Sequence, residues 1–191
     1  NVKVFSKMDN NELLLVEPKR PMTIHDLLTH TSGLTYGIFG NTPVDALYRK
    51  AGLFRGTLKE MVQKLSEIPL LYHPGTKWHY SVSIDVLGYF VEVVSGKPLD
   101  KFMEERIFKP LKMKDTGFYV PEGKISRFAA RYGLSKGGGI EVIEKPEESN
   151  KSRPPRYLSG GGGLVSTASD YIRFAQMLLN KGELEGTRIL G

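Results

Sequence analysis

Four threonines in this chain each stand three residues ahead of an acid: Thr23 with Asp26, Thr42 with Asp45, Thr57 with Glu60, and Thr167 with Asp170. This is the spacing of the capping box, in which hydroxyl and carboxylate satisfy backbone N–H groups that a new helix leaves without partners. Four helix starts are therefore marked before any hydrophobic pattern is consulted. Pro43 strengthens the second, because the first helical position needs no N–H. Apolar residues follow at helical spacing: Ile24, Leu27 and Leu28; Leu58, Met61, Val62 and Leu65; Tyr171, Phe174, Ala175 and Leu178. A further helix is predicted from about Ser83 to Ser95, with Leu87, Phe90, Val91 and Val94 on one face and Gly96 as its C-terminal cap. Pro98 opens another, which must end by Pro110. All these stripes read as core packing.

The middle of the chain changes character. From Thr116 to Ile143 three segments read as extended: Gly117–Val120, Phe128–Tyr132 and Ile140–Ile143, the last after the Gly137–Gly139 run. The ending Thr187-Arg188-Ile189-Leu190 is also strand-like. No internal repeat is visible, and the βαβ alternation of a doubly wound sheet is absent. The class is therefore α+β, mainly helical with a few short strands. The 191 residues, 40% of them hydrophobic, suit one domain with a real core. The chain lacks an initiator methionine, and it is expected to be an internal piece whose localisation signals lie outside it.

Several chemistries can be set aside. With no cysteine there is no disulfide scaffold, thiolate zinc site or cysteine nucleophile. The net charge of +6 comes from 27 basic and 21 acidic residues that are interspersed, with no block for nucleic acid to bind. The most basic stretch, 145–156, also holds Glu147, Glu148 and three prolines, and reads as a solvated loop. No apolar run approaches the roughly 20 residues of a membrane span. The histidine pairs His25/His30 and His73/His79 lack metal-ligand spacing and read as surface or hydrogen-bonded residues. Gly160–Gly163 lacks the residues of a nucleotide loop, so it lets backbone pass close to another segment or a ligand. There is no Gly-x-Ser-x-Gly, and no serine has lysine three residues later.

What remains is the run from Pro74 to Gly88, where a Pro-Gly turn leads into Trp78, His79 and Tyr80 just ahead of a helix. This run resembles the second catalytic motif of the serine β-lactamase and penicillin-binding-protein superfamily, in its class C-like branch. Three further segments resemble that branch in order: Thr23–Leu34, then Phe108–Phe118 with its Pro-Leu-x-Met pattern, then Gly160–Leu179 with Gly-Gly-Gly-Gly-Leu-Val-Ser-Thr-Ala. The resemblance implies a β-lactamase/transpeptidase-like fold, no cofactor and no metal. It also implies a serine hydrolase acting on a small ester or lactam through an acyl-enzyme.

Of the three family motifs only the second is present, as Tyr80-Ser81-Val82; the Ser-x-x-Lys and the late strand motif are expected outside residues 1–191. Residues 1–191 thus read as one partial domain, inactive alone. The resemblance makes Tyr80 the general base and places Tyr36, Phe39, Val82, Gly161 and Gly162 at the substrate pocket. A free phenol has pKa about 10, so a tyrosine base near pH 7 needs a shift of about three units. One or two lysine ammoniums would supply it. Relatives that cleave lactams or peptides usually carry asparagine where Val82 stands, and it bonds the substrate amide. Valine resembles the family VIII carboxylesterases and favours esters, which have no N–H to recognise. A β-lactamase or DD-peptidase, and a non-catalytic binding or assembly relative, remain as alternatives.

Overall fold

The structure, a computed structural model, describes residues 2–191. Residue contacts gather into two compact units, 1–99 with 156–162 and 100–155 with 163–191. The class is α+β, mainly helical, and sheet pairing among the described residues is confined to three two-stranded antiparallel hairpins.

The first unit opens with a hairpin that the sequence reading did not anticipate: β1 (Val4–Asp9) and β2 (Glu12–Val16). Its turn places Asn10 and Asn11 at positive φ, a conformation asparagine tolerates better than most residues. Val4, 1% exposed, ties the hairpin to the unit through a bridge to Leu70. Helices α1 (Ile24–Leu28), α2 (Pro43–Ala51) and α3 (Leu58–Leu65) follow. Each begins with a complete capping box, as the threonine spacing predicts. Leu58, Met61 and Leu65 of α3 are buried, as are Leu27, Val44, Tyr48 and Leu53.

Helix α4 (Ser83–Ser95) ends at Gly96 in the left-handed conformation, matching the expected boundaries. Its buried face differs from the expected one. Ser83, Asp85 and Gly88 are buried, whereas Phe90 and Val94 of the expected core stripe are exposed. The reason is close approach. A Cβ on Gly88 would lie 3.0 Å from Leu99 and 3.3 Å from Leu58, so this face works because it is small.

Helix α5 (Leu99–Met103), whose first residue closes the first unit, leads into the second through a π-helical turn at Glu104–Phe108, and the chain leaves helix at Pro110 as expected. Phe108, Leu111, Met113 and Met177 form the second unit's core, with Phe174 packed on them. Of the three extended segments, the structure keeps the last as β4 (Ile140–Glu144) and the second in part, its Arg131 and Tyr132 opening the partner strand β3 (Arg131–Leu134). Residues 122–127 form a 3-10 turn, and Gly117 makes only an isolated bridge to Val165.

Helix α6 (Ala168–Leu179) starts at Thr167 but lacks the reciprocal half of its box. The Asp170 carboxylate accepts instead from the Asp115 N–H (2.7 Å) and the Thr116 hydroxyl (2.8 Å), holding the loop after Met113. The short hairpin β5 (Glu183–Leu184) and β6 (Thr187–Arg188) follows. Among the described residues no helix is long and apolar enough to cross a membrane.

Candidate active site

Tyr80 lies between the Pro74-Gly75 turn and α4. Three backbone bonds hold its segment to the loop after α1: Gly75 N–H to Thr31 O (2.8 Å), His79 N–H to His30 O (2.8 Å) and Val82 N–H to Thr35 O (3.2 Å). That loop is fixed in turn by the two capping carboxylates that flank it. Asp26 accepts from Thr31 Oγ1 at 3.1 Å besides its cap bonds, and Asp45 accepts from Thr35 Oγ1 at 2.5 Å besides its own. Both acids are buried. The residues that start α1 and α2 therefore also shape the site loop.

Charge bears out this double use. The Arg20 guanidinium holds the Asp26 carboxyl far below the usual carboxylate range; burial opposes it, and Thr23 and Thr31 add to the lowering. Burial pushes Asp45 up, but its bonds from Thr35 and Thr42 outweigh that, so it too is lowered.

An aromatic group results. Tyr80, 44% exposed, stacks on Tyr36 with ring centroids 5.5 Å apart and planes 7° from parallel. Phe39 meets Tyr80 at 5.8 Å and Tyr36 at 5.4 Å, and the His30 ring lies 4.9 Å from Tyr80. No group among the described residues bonds the Tyr80 hydroxyl. Burial, then the charges of Asp85 and Tyr80, push the Tyr36 phenol above its ordinary value, which keeps Tyr36 a proton carrier and unsuits it as a base. Trp78 is exposed beside the group, with its ring 6.3 Å from His30, so it is not core. Lys77 is exposed as well, its ammonium 4.4 Å above the Tyr72 ring and 3.2 Å from that hydroxyl.

The structure thus brings Tyr80, Tyr36 and Phe39 together. Val82 it does not. That side chain is 0% exposed, turned into the core as the residue capping α4, so it lines no open face. Gly161 and Gly162 are exposed on a loop that hangs from Asp85. Asp85 Oδ1 accepts from Ser159 Oγ (2.6 Å) and Gly161 N–H (3.3 Å), and Gly162 N–H donates to Ser159 Oγ (3.1 Å). The other Asp85 oxygen is buried without a hydrogen bond. Gly160 resolves the question its composition raised: a Cβ there would stand 2.5 Å from the Ile84 carbonyl, so the glycine run lets backbone pack on α4. Burial and then the Asp85 charge push the Tyr157 phenol on the same loop strongly upward.

Sequence reasoning gave no role to Asp85, Ser159 or His30. The signal for Asp85 was an acid on the inner, small-residue face of α4; the apolar stripe drew attention away from that face. Three histidines are hydrogen-bonded as expected: His30 with Ser81, His73 with the Lys19 N–H, and His79 with Thr35. Among the described residues no three His, Asp or Glu side chains form a metal-binding group.

Known proteins match most of the chain's length. The family model described as Beta-lactamase matches residues 14–190. An uncharacterized protein of Mycobacterium tuberculosis (strain CDC 1551 / Oshkosh) is 38% identical over 174 residues, covering 90% of this chain and 42% of that one. Esterase EstB of Burkholderia gladioli is 34% identical over 197 residues, covering 91% and 49% respectively. The chain therefore spans less than half the length of these two relatives. Among solved structures, EstCE1, described as a hydrolase with promiscuous acyltransferase activity, superposes with a TM-score of 0.74 at 30% identity, covering 91% of this chain and 49% of that one. The β-lactamase/transpeptidase-like fold implied by the sequence is the fold of these neighbours.

Proposed function

Since this chain belongs to the Beta-lactamase family, we propose that the whole protein is a serine-dependent hydrolase of short-chain carboxylic esters, with Tyr80 as its general base. The observation that carries the reading is the half-exposed Tyr80, whose hydroxyl no described residue bonds, held in an aromatic group at the start of a buried helix. A phenol so placed is accessible to a serine hydroxyl and to substrate, while its ring orientation is fixed by stacking.

The nucleophilic serine and its lysine lie, on this proposal, outside residues 1–191. Tyr80, as phenolate beside the lysine ammonium, takes the serine proton as Oγ bonds to the ester carbonyl carbon. The collapsing intermediate releases the alcohol, which leaves with that proton. Water then attacks the acyl-serine, Tyr80 takes its proton, and the proton returns to serine Oγ as the carboxylic acid departs. The ester substrate class rests on the resemblance of Tyr80-Ser81-Val82, whose valine stands where lactam- and peptide-cleaving relatives usually carry asparagine; the Val82 side chain itself is buried and is given no contact with substrate. EstB is named an esterase, in line with this substrate class.

The test is Tyr80→Phe in the full-length protein, assayed on p-nitrophenyl butyrate. A loss of at least about 10²-fold in kcat is expected, in the range for general-base catalysis. An unchanged rate would remove Tyr80 from the mechanism. Nitrocefin turnover exceeding ester turnover in the wild type would replace the esterase reading with a β-lactamase one.

A further inference from the structure

His30 stands two residues beyond α1 with φ of +55°, a left-handed conformation that few non-glycine residues adopt, His, Asn and Asp foremost. Its carbonyl accepts the His79 N–H at 2.8 Å, and its neighbour Thr31 donates its N–H to Asp26 O at 2.8 Å, so the turn is held from both sides. In that conformation the ring meets Tyr80 at 4.9 Å and Trp78 at 6.3 Å. Nδ1 accepts the Ser81 N–H at 3.3 Å and lies 3.3 Å from Ser81 Oγ. Ser81 begins a chain of buried hydroxyls, to Ser83 at 2.7 Å and on to Ser32 at 2.8 Å. A backbone N–H can only donate. Nδ1 is therefore unprotonated, and the neutral ring carries its proton on Nε2.

We propose that His30 is the positioning residue of Tyr80: its neutral imidazole fixes the Tyr80–Ser81 peptide through Nδ1 and the phenol through ring contact, and its protonation releases both. The inference rests on reading Tyr80 as the base. An imidazolium presents N–H at both nitrogens, so Nδ1–H would confront the Ser81 N–H and the acceptor would be lost. Burial already holds the imidazole below its ordinary pKa, which favours the accepting form near neutral pH. The charged and titratable groups on the surrounding elements have other partners. Asp26 is bonded to Arg20, Lys77 to Tyr72, His79 to Thr35, Asp45 to Thr35 and Asp85 to Ser159, while Tyr36 stacks on Tyr80; His25 is exposed on α1. Tyr80 is the titratable group in ring contact with His30.

The experiment compares full-length wild type with His30→Asn and His30→Ala, following kcat on p-nitrophenyl butyrate against pH, together with ring resonances by NMR. Asparagine tolerates the left-handed backbone and offers a carbonyl acceptor that does not titrate. Wild type should lose kcat on an acid limb that lies below the ordinary imidazole range, the direction in which burial moves His30. His30→Asn should keep kcat within about tenfold and lose the His30 step of that limb, leaving only the step of the Tyr80 base itself. His30→Ala should drop kcat by about 10- to 100-fold at nearly constant KM, as expected when a catalytic group is misplaced. An acid limb in His30→Asn with the steepness and midpoint of wild type overturns the proposal, since the Tyr80 base alone supplies only one of the two steps; so does loss of folded protein with unchanged kcat per folded molecule. If wild type hydrolyses no ester, the reading of Tyr80 as base fails separately and the NMR arm decides alone. Nδ1 unprotonated at pH 7, with Tyr80 ring shifts that follow His30 titration, supports the positioning role; a protonated Nδ1 or invariant Tyr80 shifts refute it.

Discussion

In the unit that carries Tyr80, Asp26, Asp45 and Asp85 are each 1% exposed, and they bond backbone N–H groups and hydroxyls of the loops around the site. In the second unit, Asp115, Glu144 and Glu185 sit nearer solvent and pair with cations: Lys124 and Arg127, Arg131, and Lys112 and Arg173. Neutral donors attached to backbone have fixed directions, so a buried carboxylate that takes two or three of them sets loop positions to within hydrogen-bond geometry. Long basic side chains at the surface are screened and mobile, and such pairs contribute little. Asp26 belongs to both kinds, since Arg20 grips it at 2.7 Å through two bonds. Asp170 is the second unit's counterpart, buried and taking the Asp115 N–H and the Thr116 hydroxyl; the first unit gathers three such carboxylates around the Tyr80 loops, whereas the other acids named in the second decorate a fold held by its own core.

The comparison breaks most readily at Asp26. Asp26→Ala removes a capping box, an ion pair and the tether to Thr31 together, and should cost about 2–4 kcal/mol in urea unfolding, since it combines a cap with buried bonds to a charged group. Asp115→Ala should shift the midpoint far less. Equal shifts would erase the distinction between the units. Acid adds a second readout. Asp26 has a folded-state pKa well below its unfolded value, chiefly through Arg20, so its contribution is complete above about pH 4 and is lost as pH falls toward the folded value. Asp115, held at about 2 by Arg127 and Lys124, follows the same sign. At 1 M salt, where the Debye length is about 3 Å, the Asp115 effect should fade and the Asp26 effect should largely remain.

Two glycine runs sharpen the comparison at the next level. Gly160 packs on α4 and has no room for a methyl group, whereas Gly137 meets nothing within 4 Å of a built Cβ. Gly160→Ala should cost about 1–3 kcal/mol, the usual penalty for overpacking. Gly137→Ala should stay within about 0.5 kcal/mol. A neutral Gly160→Ala would mean that the loop carrying Gly161 and Gly162 is free to lift from Asp85.

These pairs also show what the sequence could reveal. Capping threonines are local signals, with cause and effect three residues apart, and all four mark real helix starts. The family pattern around Tyr80 is similarly local. What stayed hidden depends on distant partners. Asp170 leaves its own box because Asp115 and Thr116 arrive from 55 and 54 residues away. Val82 is buried because its peptide bonds Thr35, and Gly160 is crowded because Ile84 lies beneath it. The inward face of α4 was misjudged for the same reason: Ser83, Asp85 and Gly88 look like a polar face until Ser32, Ser159 and Leu99 are placed against them. Hairpin β1–β2 escaped notice because its strands carry exposed apolar residues, including Met8, Leu14 and Leu15, and show no clean alternation.

The smallest effect is expected in the β3–β4 hairpin of the second unit. Arg131 pairs with Glu144 across the first register position at 2.8 Å, with the arginine side chain 68% exposed. If surface pairs here are peripheral to stability, Arg131→Ala should change the unfolding free energy by at most about 1 kcal/mol, with the change shrinking as salt is added. The ladder itself should persist, because four register pairs and the turn at Ser135–Gly139 hold it without that charge. Hydrogen exchange at the Tyr132 and Val142 amides would show this directly. Protection that collapses in Arg131→Ala would make this ion pair a structural tie of the kind found around Tyr80, and the contrast between the two units would then rest on the buried carboxylates alone.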